Sequence, residues 1–309
     1  MDGRVIPRPG VSTAMKQMRW PMTAGTPNMH ASSTGQALTG AAWLDDHFEA
    51  NRPEYEAQLR AVGIQPGWRV LDAACGSGSF LPLLAALVGP TGRLAALDLA
   101  PDNVTVVEQR VAASALPCPV EARAGTVLEL PYADDTFDAV WFANTSQYLT
   151  DAELATALAE FRRVVRPGGL VAVKDADGTF LTILPAPLGS VLRLTEEAAR
   201  GGRVQAAGVL RAPLLGGWLR RAGLVGVWRR TTMIERSPPF DAPTGRFWRG
   251  SLAFYAAAAA EMTLPAADQE AWERLRDPDA LDRFLADADT CLFDANVLAV
   301  GRVPTAENG

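Results

Sequence analysis

The sequence predicts an α/β fold built on a mostly parallel sheet, and three observations carry that expectation. From residue 68 onward, short apolar runs alternate with amphipathic stretches long enough for a helix. Each pair is spaced as a strand, a crossover helix and a next strand would be, which implies parallel strands joined by right-handed crossovers. A Gly-x-Gly loop stands where the first strand should turn into the first helix.

Taken in order, strands are expected at 68–73, 93–97, 120–124, 137–143 and 170–173. Helices are expected at 80–88, 102–113 and 151–165. The first should stop at Gly89-Pro90. The third starts with Thr150-x-x-Glu153, a capping box that satisfies two free amide donors, and stops at Arg166-Pro167-Gly168-Gly169. Ahead of them, Trp43, Leu44, Phe48, Tyr55, Leu59 and Val62 recur at helical spacing, with a break near Pro53. Beyond Gly178 the pattern weakens. A helix at 209–221, a strand at 224–234, helical runs at 247–262, 266–276 and 279–288, and a closing strand at 292–303 are the elements it supports. The domain organisation read from this is an arm at 1–40, a helical lid at 41–64, a core at 65–235 and 291–304, and a helical cap inserted at 236–290.

Composition narrows the function. The chain has 309 residues, 48% hydrophobic and 21% charged, ordinary values for a protein with a sizeable core. No run approaches the ~18 apolar residues of a membrane span, and the first 40 residues hold no signal-peptide core, so no membrane partner and a cytoplasmic location are expected. Residues 1–40 carry four basic residues against Asp2, while the remainder carries 25 basic against 34 acidic. An acidic body repels a phosphate backbone, so nucleic acid is not expected as a substrate. Three scattered cysteines and two histidines give no metal-ligand spacing, and no metal is expected. Only Lys16 and Lys174 are lysines among the 29 basic residues, a bias that suggests a GC-rich bacterial genome.

The most informative segment is Val70-Leu71-Asp72-Ala73-Ala74-Cys75-Gly76-Ser77-Gly78-Ser79-Phe80. Glycines there let the backbone turn tightly and approach a ligand, and the helix start offers unpaired amides. Twenty residues past Gly78, Asp98 ends the second strand, where a carboxylate can accept from both hydroxyls of a ribose. A nicotinamide dinucleotide would need a third glycine where Leu81 stands, and Asp72 would sit badly beside a pyrophosphate but well beside a sulfonium or ammonium.

This segment resembles the glycine-rich first motif of class I S-adenosylmethionine-dependent methyltransferases. The stretch Gly125–Tyr148, with Leu130-Pro131-Tyr132-Ala133-Asp134-Asp135-Thr136-Phe137-Asp138, resembles the run into their fourth strand. Arg162-Arg163-Val164-Val165-Arg166-Pro167-Gly168-Gly169 resembles their turn into the fifth. The resemblance covers about residues 65–178. It implies a Rossmann-like, mostly parallel seven-stranded sheet with helices on both faces and the last strand antiparallel. It also implies S-adenosylmethionine as cofactor, S-adenosylhomocysteine as product, and a small-molecule methyl acceptor. The implied cofactor contacts are Asp72, Ala74, Gly76 and Gly78 in the loop, Asp98 on the ribose, Leu99 on the adenine and Asn103 near them. Thr126 and Val127 would meet the adenine edge, and Asn144 the amino-acid end. The family often has an acid where Thr126 stands, and a threonine bonds an adenine amine less strongly.

In an open α/β sheet the substrate lies outside the carboxyl ends of the strands. That edge nominates Tyr148 to orient an acceptor and Asp177 as a general base, with packing and solvation as the plainer alternatives. His47, on the expected lid, could take a proton, or be an ordinary surface histidine. Methyl transfer asks first for alignment, which removes ~7–11 kcal/mol against ~3–5 kcal/mol for a general base, so few histidines are no objection. Phe240, Phe247, Trp248, Phe254 and Tyr255 give the cap an aromatic character that suits an apolar or aromatic acceptor. A plain helical core or a homodimer interface would use the same residues. Specialised metabolism is the expected setting. Two alternatives stay open: a decarboxylation, hydroxylation or cyclisation on the same cofactor, and a non-catalytic scaffold.

Overall fold

The computed structural model of the protein describes residues 41–305. The expected arm, 1–40, lies outside the described residues. Two helices lead in, α1 (Ala41–Ala50) and α2 (Arg52–Val62). The chain then runs through β1 (Arg69–Ala73), α3 (Leu81–Val88), β2 (Arg93–Asp98), α4 (Pro101–Ala113), β3 (Val120–Ala124), β4 (Phe137–Ala143), α5 (Asp151–Val164) and β5 (Val165–Ala176). Next come β6 (Thr182–Leu184), α6 (Ser190–Arg200), α7 (Val204–Arg211), α8 (Leu215–Arg221) and β7 (Val225–Arg236). Helices α9 (Ala242–Ala259), α10 (Ala266–Arg274) and α11 (Pro278–Ala286) precede the last strand, β8 (Cys291–Arg302).

The strands form one mixed sheet in the order β3-β2-β1-β4-β5-β8-β6, with β7 also paired to β8. Strands β1 to β5 are parallel, and β8 runs antiparallel to β5. That is the expected mostly parallel α/β architecture. The sheet has eight strands rather than seven, because β8 extends past the end of β5. Its residues Cys291–Phe293 still need backbone partners, and β6 supplies them. Nothing periodic in the Pro-rich stretch around β6 announces a strand.

Central strands read as continuous apolar runs because both faces are covered. Four of the five β1 residues and all but the first of β2 are buried. The edge strand β3 alternates and carries Glu121 and Arg123 outward, charges that discourage pairing with another sheet. Helices α2, α3 and α4 cover one face, and α5 and α8 the other. Trp141 of β4 is fully buried on the first face, edge-on to Phe80. A third cluster joins α6, α9, α10 and α11 through Leu194, Phe247, Trp248, Leu252 and Trp272.

Several boundaries differ from expectation for local reasons. The single helix expected at 209–221 is two, α7 and α8, with a short 3-10 turn at Ala212–Leu214. Pro213 lacks an amide hydrogen and cannot continue the helix. Helix α9 starts at Ala242, capped by Asp241, whose carboxylate accepts from the Thr244 amide at 2.8 Å. Pro243 sits in its first turn, where proline is welcome. The expected stop at 166–169 is an irregularity inside β5, where the pairing register with β4 shifts between Phe137 and Ala139. Helix α6 has no counterpart in the expectations, although Val191, Leu194, Thr195 and Ala198 form one buried stripe. The Thr150–Glu153 capping box is present with both of its reciprocal bonds.

Candidate active site

Every element of the site converges on the carboxyl edge of the sheet. At the end of β1 the backbone turns into the left-handed region at Ala74 (φ 57°), Gly76 (φ 55°) and Gly78 (φ 80°). The bend is pinned from the neighbouring strand. The Cys75 amide donates to the Leu97 carbonyl at 3.0 Å, and the Gly76 amide donates to Asp98 Oδ2 at 2.8 Å. Asp98 Oδ1 accepts from the Ala100 amide at 2.9 Å and from Asn103 Nδ2 at 3.0 Å. The carboxylate at the end of β2 therefore shapes the loop that it flanks.

Asp72 has a different part. It is buried, its Oδ2 has no hydrogen-bond partner among the described residues, and burial followed by the nearby Asp98 charge pushes its carboxyl well up. The Gly76 amide is bonded to Asp98, not to Asp72.

Around this bend stand the other residues implied for the cofactor. Leu99 is 41% exposed, unusual for a leucine at a strand end and suited to a flat apolar ring. The Gly125 amide donates to the Asp98 carbonyl, which brings Thr126 and Val127 alongside. Thr126 Oγ1 accepts from the Leu128 amide at 3.2 Å, and Val127 is buried. Asn144, at the end of β4, also adopts a left-handed backbone (φ 57°), and its Oδ1 accepts from Lys174 Nζ. Strained positions of this kind, here Ala74 and Asn144 on adjacent strands, gather at functional sites. An orphaned carboxylate oxygen at Asp72, an exposed Leu99 and a left-handed loop beside a strand-end carboxylate together fit a cofactor with a cationic end, an apolar ring and a sugar between them.

Helix α1 closes over the loop. Asp45 accepts from Ser77 Oγ (2.8 Å), Ser79 Oγ (3.2 Å) and both terminal nitrogens of Arg110 on α4 (2.9 and 2.5 Å). These bonds, Arg110 first among the stabilising ones, outweigh burial and hold the Asp45 carboxyl below its usual range. A Cβ on Gly76 would come within 3.1 Å of Leu44 Cδ1, so the helix rests directly on the glycine. On its other side Asp46 pairs with Arg246 of α9 at 2.9 and 2.6 Å. The latch joins residues 45 and 110, and no local signal in the sequence marks either one.

The second half of the site is a set of buried charges on β5 and β8. Lys174 is fully buried, with Nζ 3.3 Å from the centroid of the Tyr55 ring. Burial pushes its ammonium well down, against the opposing pull of Asp175 and Asp294. The Tyr55 hydroxyl lies 2.8 Å from His47 Nε2. His47 is half-buried rather than on the surface, stacked on Phe247 (4.9 Å between centroids, 17°) and tilted against Trp43. Burial, then the Lys174 charge, pushes it down to about 3, so it stays neutral with Nε2 engaged by the Tyr55 hydroxyl.

Tyr148 lies half-buried in the 3-10 turn Ser146–Tyr148, its phenol pushed up by burial and then by Asp175. Such a hydroxyl donates at neutral pH and does not give up its proton. Asp177 is not a solvated loop acid. It is 1% exposed; Oδ1 accepts from the Thr179 amide (3.0 Å) and hydroxyl (2.5 Å), while Oδ2 has no partner among the described residues.

The sequence reading missed the residues that hold this half together. Asp175 accepts from Ser146 Oγ (2.5 Å), the Gln147 amide (2.8 Å), Gln147 Nε2 (3.0 Å) and the Ala176 amide (2.9 Å). Arg211 of α7 donates to the Ser146 and Leu149 carbonyls at 2.6 and 2.9 Å. Gly208 lets α7 approach so closely that a Cβ there would lie 2.2 Å from the Gln147 carbonyl oxygen.

Comparison with known proteins bears on the first half of the site. Residues 70–169 match the family model of a methyltransferase domain. Residues 70–169 form a methyltransferase domain of the class I S-adenosylmethionine-dependent type, on a mostly parallel sheet with the glycine loop at its carboxyl edge. The chain is 33% identical over 128 residues to the demethylmenaquinone methyltransferase of Bacillus subtilis, covering 40% of this chain and 52% of the relative. It is 36% identical over 135 residues to a protein of transposon TN4556 from Streptomyces fradiae, covering 44% and 38%. The chain thus spans about half, or less, of the length of the curated relatives it matches. In fold it is similar to a solved methyltransferase structure from Bacillus halodurans, with a TM-score of 0.50 at 16% identity, covering 81% of this chain and 98% of the other. The family model ends at Gly169, before Lys174, the cap helices and β8. Among the described residues, no helix of the methyltransferase is long and apolar enough to cross a membrane.

Proposed function

We propose that the protein transfers a methyl group from S-adenosylmethionine to a small molecule with an apolar or aromatic body, in bacterial specialised metabolism. The observation that carries this reading is the pairing of two features on one strand edge. One is a left-handed glycine loop braced by Asp98; the other is a walled set of buried polar and aromatic side chains next to it.

In this reading Gly76, Gly78, Ala74 and Asp72 face the methionine portion, Asp98 with Asn103 behind it faces the ribose, and Leu99, Thr126 and Val127 frame the adenine. Asn144 lies between the two halves. The cofactor supplies a methyl carbon on a sulfonium, with a neutral thioether as leaving group. The chain's own work is to align the acceptor and exclude water. Latching α1 by Asp45 on one side and Asp46 on the other serves the second task. Trp43, His47 and Phe247 form a stacked wall that suits an aromatic body. Tyr148, kept protonated, orients by donating a hydrogen bond. His47 is held neutral with Nε2 engaged by Tyr55, so it acts through that phenol rather than as a free base.

The curated relatives named for demethylmenaquinone do not extend this reading to a quinone. Apart from Tyr148, the residues argued to meet the acceptor, Trp43, His47 and Phe247, lie outside the matched domain. A labelled-methyl assay with candidate acceptors tests the proposal. Label should appear in the acceptor, and turnover of acceptor without label would replace methyl transfer by another reaction on the same cofactor.

A further inference from the structure

The surface around helix α8 carries an inference that does not depend on which molecule the site methylates. Many arginines of this protein are matched to carboxylates, as Arg163 is to Glu160 at 2.7 Å, Arg193 to Asp268 at 2.5 Å and Arg246 to Asp46 at 2.6 Å. Around α8 they are not. Arg220 and Arg221 at its end, Arg229 of β7 and Arg162 of α5 are exposed, and none of them pairs with a carboxylate among the described residues.

Their guanidinium groups gather on the helix instead. Arg229 Nη1 donates to the Pro213 carbonyl at 3.0 Å, just before α8 begins. Arg220 folds back along the helix: a Cβ on Gly216 would lie 3.8 Å from Arg220 Nη1 and 3.8 Å from Arg229 Cβ. Arg221 folds back likewise, its Nη1 3.4 Å from a Cβ on Gly217, and sits over the Trp218 ring at 4.4 Å from the centroid. Arg162 closes the far end, its Nη1 2.9 Å from a Cβ on Gly223. Beside these charges stands Leu214, 64% exposed and four residues from Trp218, hence on the same side of the turn. An exposed leucine alone means little. One set among four guanidinium groups without counterions selects a partner.

That partner must offer negative charge and apolar depth at one place. Anionic headgroups above acyl chains do so: phosphates meet the arginines, Trp218 suits the headgroup level, and Leu214 enters the apolar boundary. A nucleic acid supplies the charge without the apolar layer. It would also seek a free aromatic face for its bases, whereas the Trp218 ring already has Arg221 over it and Arg211 at 5.6 Å. We propose that Leu214, Trp218, Arg162, Arg220, Arg221 and Arg229 dock the protein on a bilayer rich in anionic lipids. The expectation of no membrane partner rested on the lack of a spanning segment, and a surface contact needs none. The net charge of −6 is no bar, because salt screens the rest of the surface beyond about 8 Å. The docked face adjoins the acceptor side. Arg211, which ends α7 just before Leu214, holds the Ser146 and Leu149 carbonyls of the turn that carries Tyr148.

The full chain is sedimented with vesicles of phosphatidylcholine alone or of equal parts phosphatidylcholine and phosphatidylglycerol. At low salt it should bind the anionic vesicles at least about tenfold more tightly than the neutral ones. Arg220→Gln, Arg221→Gln and Arg229→Gln combined should weaken that binding about a hundredfold, at roughly fivefold per charge. Leu214→Asn should weaken it about tenfold while leaving its salt dependence unchanged, the sign of an apolar contribution. Melting temperatures should match the parent, since all four side chains are exposed; should the triple variant not fold, Arg220→Gln and Leu214→Asn decide singly. No binding to anionic vesicles, equal binding to both kinds, or variants that bind as the parent does would overturn the proposal. So would a single-stranded RNA oligonucleotide held by the same arginines while vesicles are left unbound, which would give the patch to nucleic acid.

Discussion

The two halves of the site are built by opposite means. On the β1–β2 side, backbone does the work: a left-handed bend, three amide or side-chain donors on one carboxylate, and a helix laid over the top. On the β5–β8 side, side chains do it: a sealed lysine and three buried carboxylates. Each half keeps a buried carboxylate oxygen without a partner among the described residues, Asp72 Oδ2 in the first and Asp177 Oδ2 in the second. The first is otherwise tied together by donors converging on Asp98, and the second by donors converging on Asp175.

That contrast can be broken at its strongest point first. Asp98→Ala removes an acceptor that holds Gly76, Ala100 and Asn103 at once, and hydrogen bonds to a charged group count roughly 1.5–3 kcal/mol each. Calorimetry with S-adenosylhomocysteine should show affinity falling by at least about a hundredfold, with a lower melting temperature. Unchanged affinity would mean that the bend is not the cofactor site.

A second effect separates the halves by pH. In the unfolded chain an aspartate titrates near 3.8, and in the fold Asp294 is raised to about 6. The folded state therefore binds this proton more tightly, so its contribution is fully present below about 3.8 and is lost as pH rises through about 6. Its size is on the order of 3 kcal/mol. Denaturant titrations of Asp294→Asn should match the parent near pH 4 and show greater stability at pH 7.5; equal gaps at both would refute it. His47 works in the other direction, because its value falls from 6.5 to about 3. Its contribution is present above 6.5 and lost as pH falls toward 3, so His47→Gln should flatten the acid limb. The ring is half-buried, so that change should be smaller, about 1–2 kcal/mol.

Gly208→Ala sharpens the comparison by geometry alone. A Cβ 2.2 Å from the Gln147 carbonyl oxygen must push α7 away from the turn that carries Tyr148. About 1–3 kcal/mol of stability should be lost. Acceptor affinity should fall with cofactor affinity intact, which paired titrations would detect. The smallest effect belongs to Asp45→Ala. Its pair with Arg110 is over a third exposed on each side, so stability should change by less than about 1 kcal/mol. Weaker binding of S-adenosylhomocysteine, by a few-fold, is the expected sign that the latch matters.

Much of the first half was legible in the sequence. Glycines 76 and 78 and Asp98 lie within one strand–helix–strand unit, so their spacing states their geometry. The capping box at Thr150 and Glu153 is equally local. What escaped was contact between distant segments. Asp98, expected only on the ribose, also braces the loop by accepting from the Gly76 amide. Asp45 finds Arg110 across the lid, and Gln58 meets Asn296 across 238 residues. For His47 and Asp177 the sequence left a surface position open as an alternative; their neighbours in space are Phe247 and Tyr55 for the first and the end of β8 for the second.

By itself the sequence determined the alternating elements, the parallel sheet and the left-handed glycine loop at its edge, since all three depend on periodicity and on φ preferences within a few residues. Only the tertiary structure decided that Lys174, Asp177, Asp294 and Asn296 share one buried edge. Charge carries no period, and its cost or use is fixed by what water the fold removes.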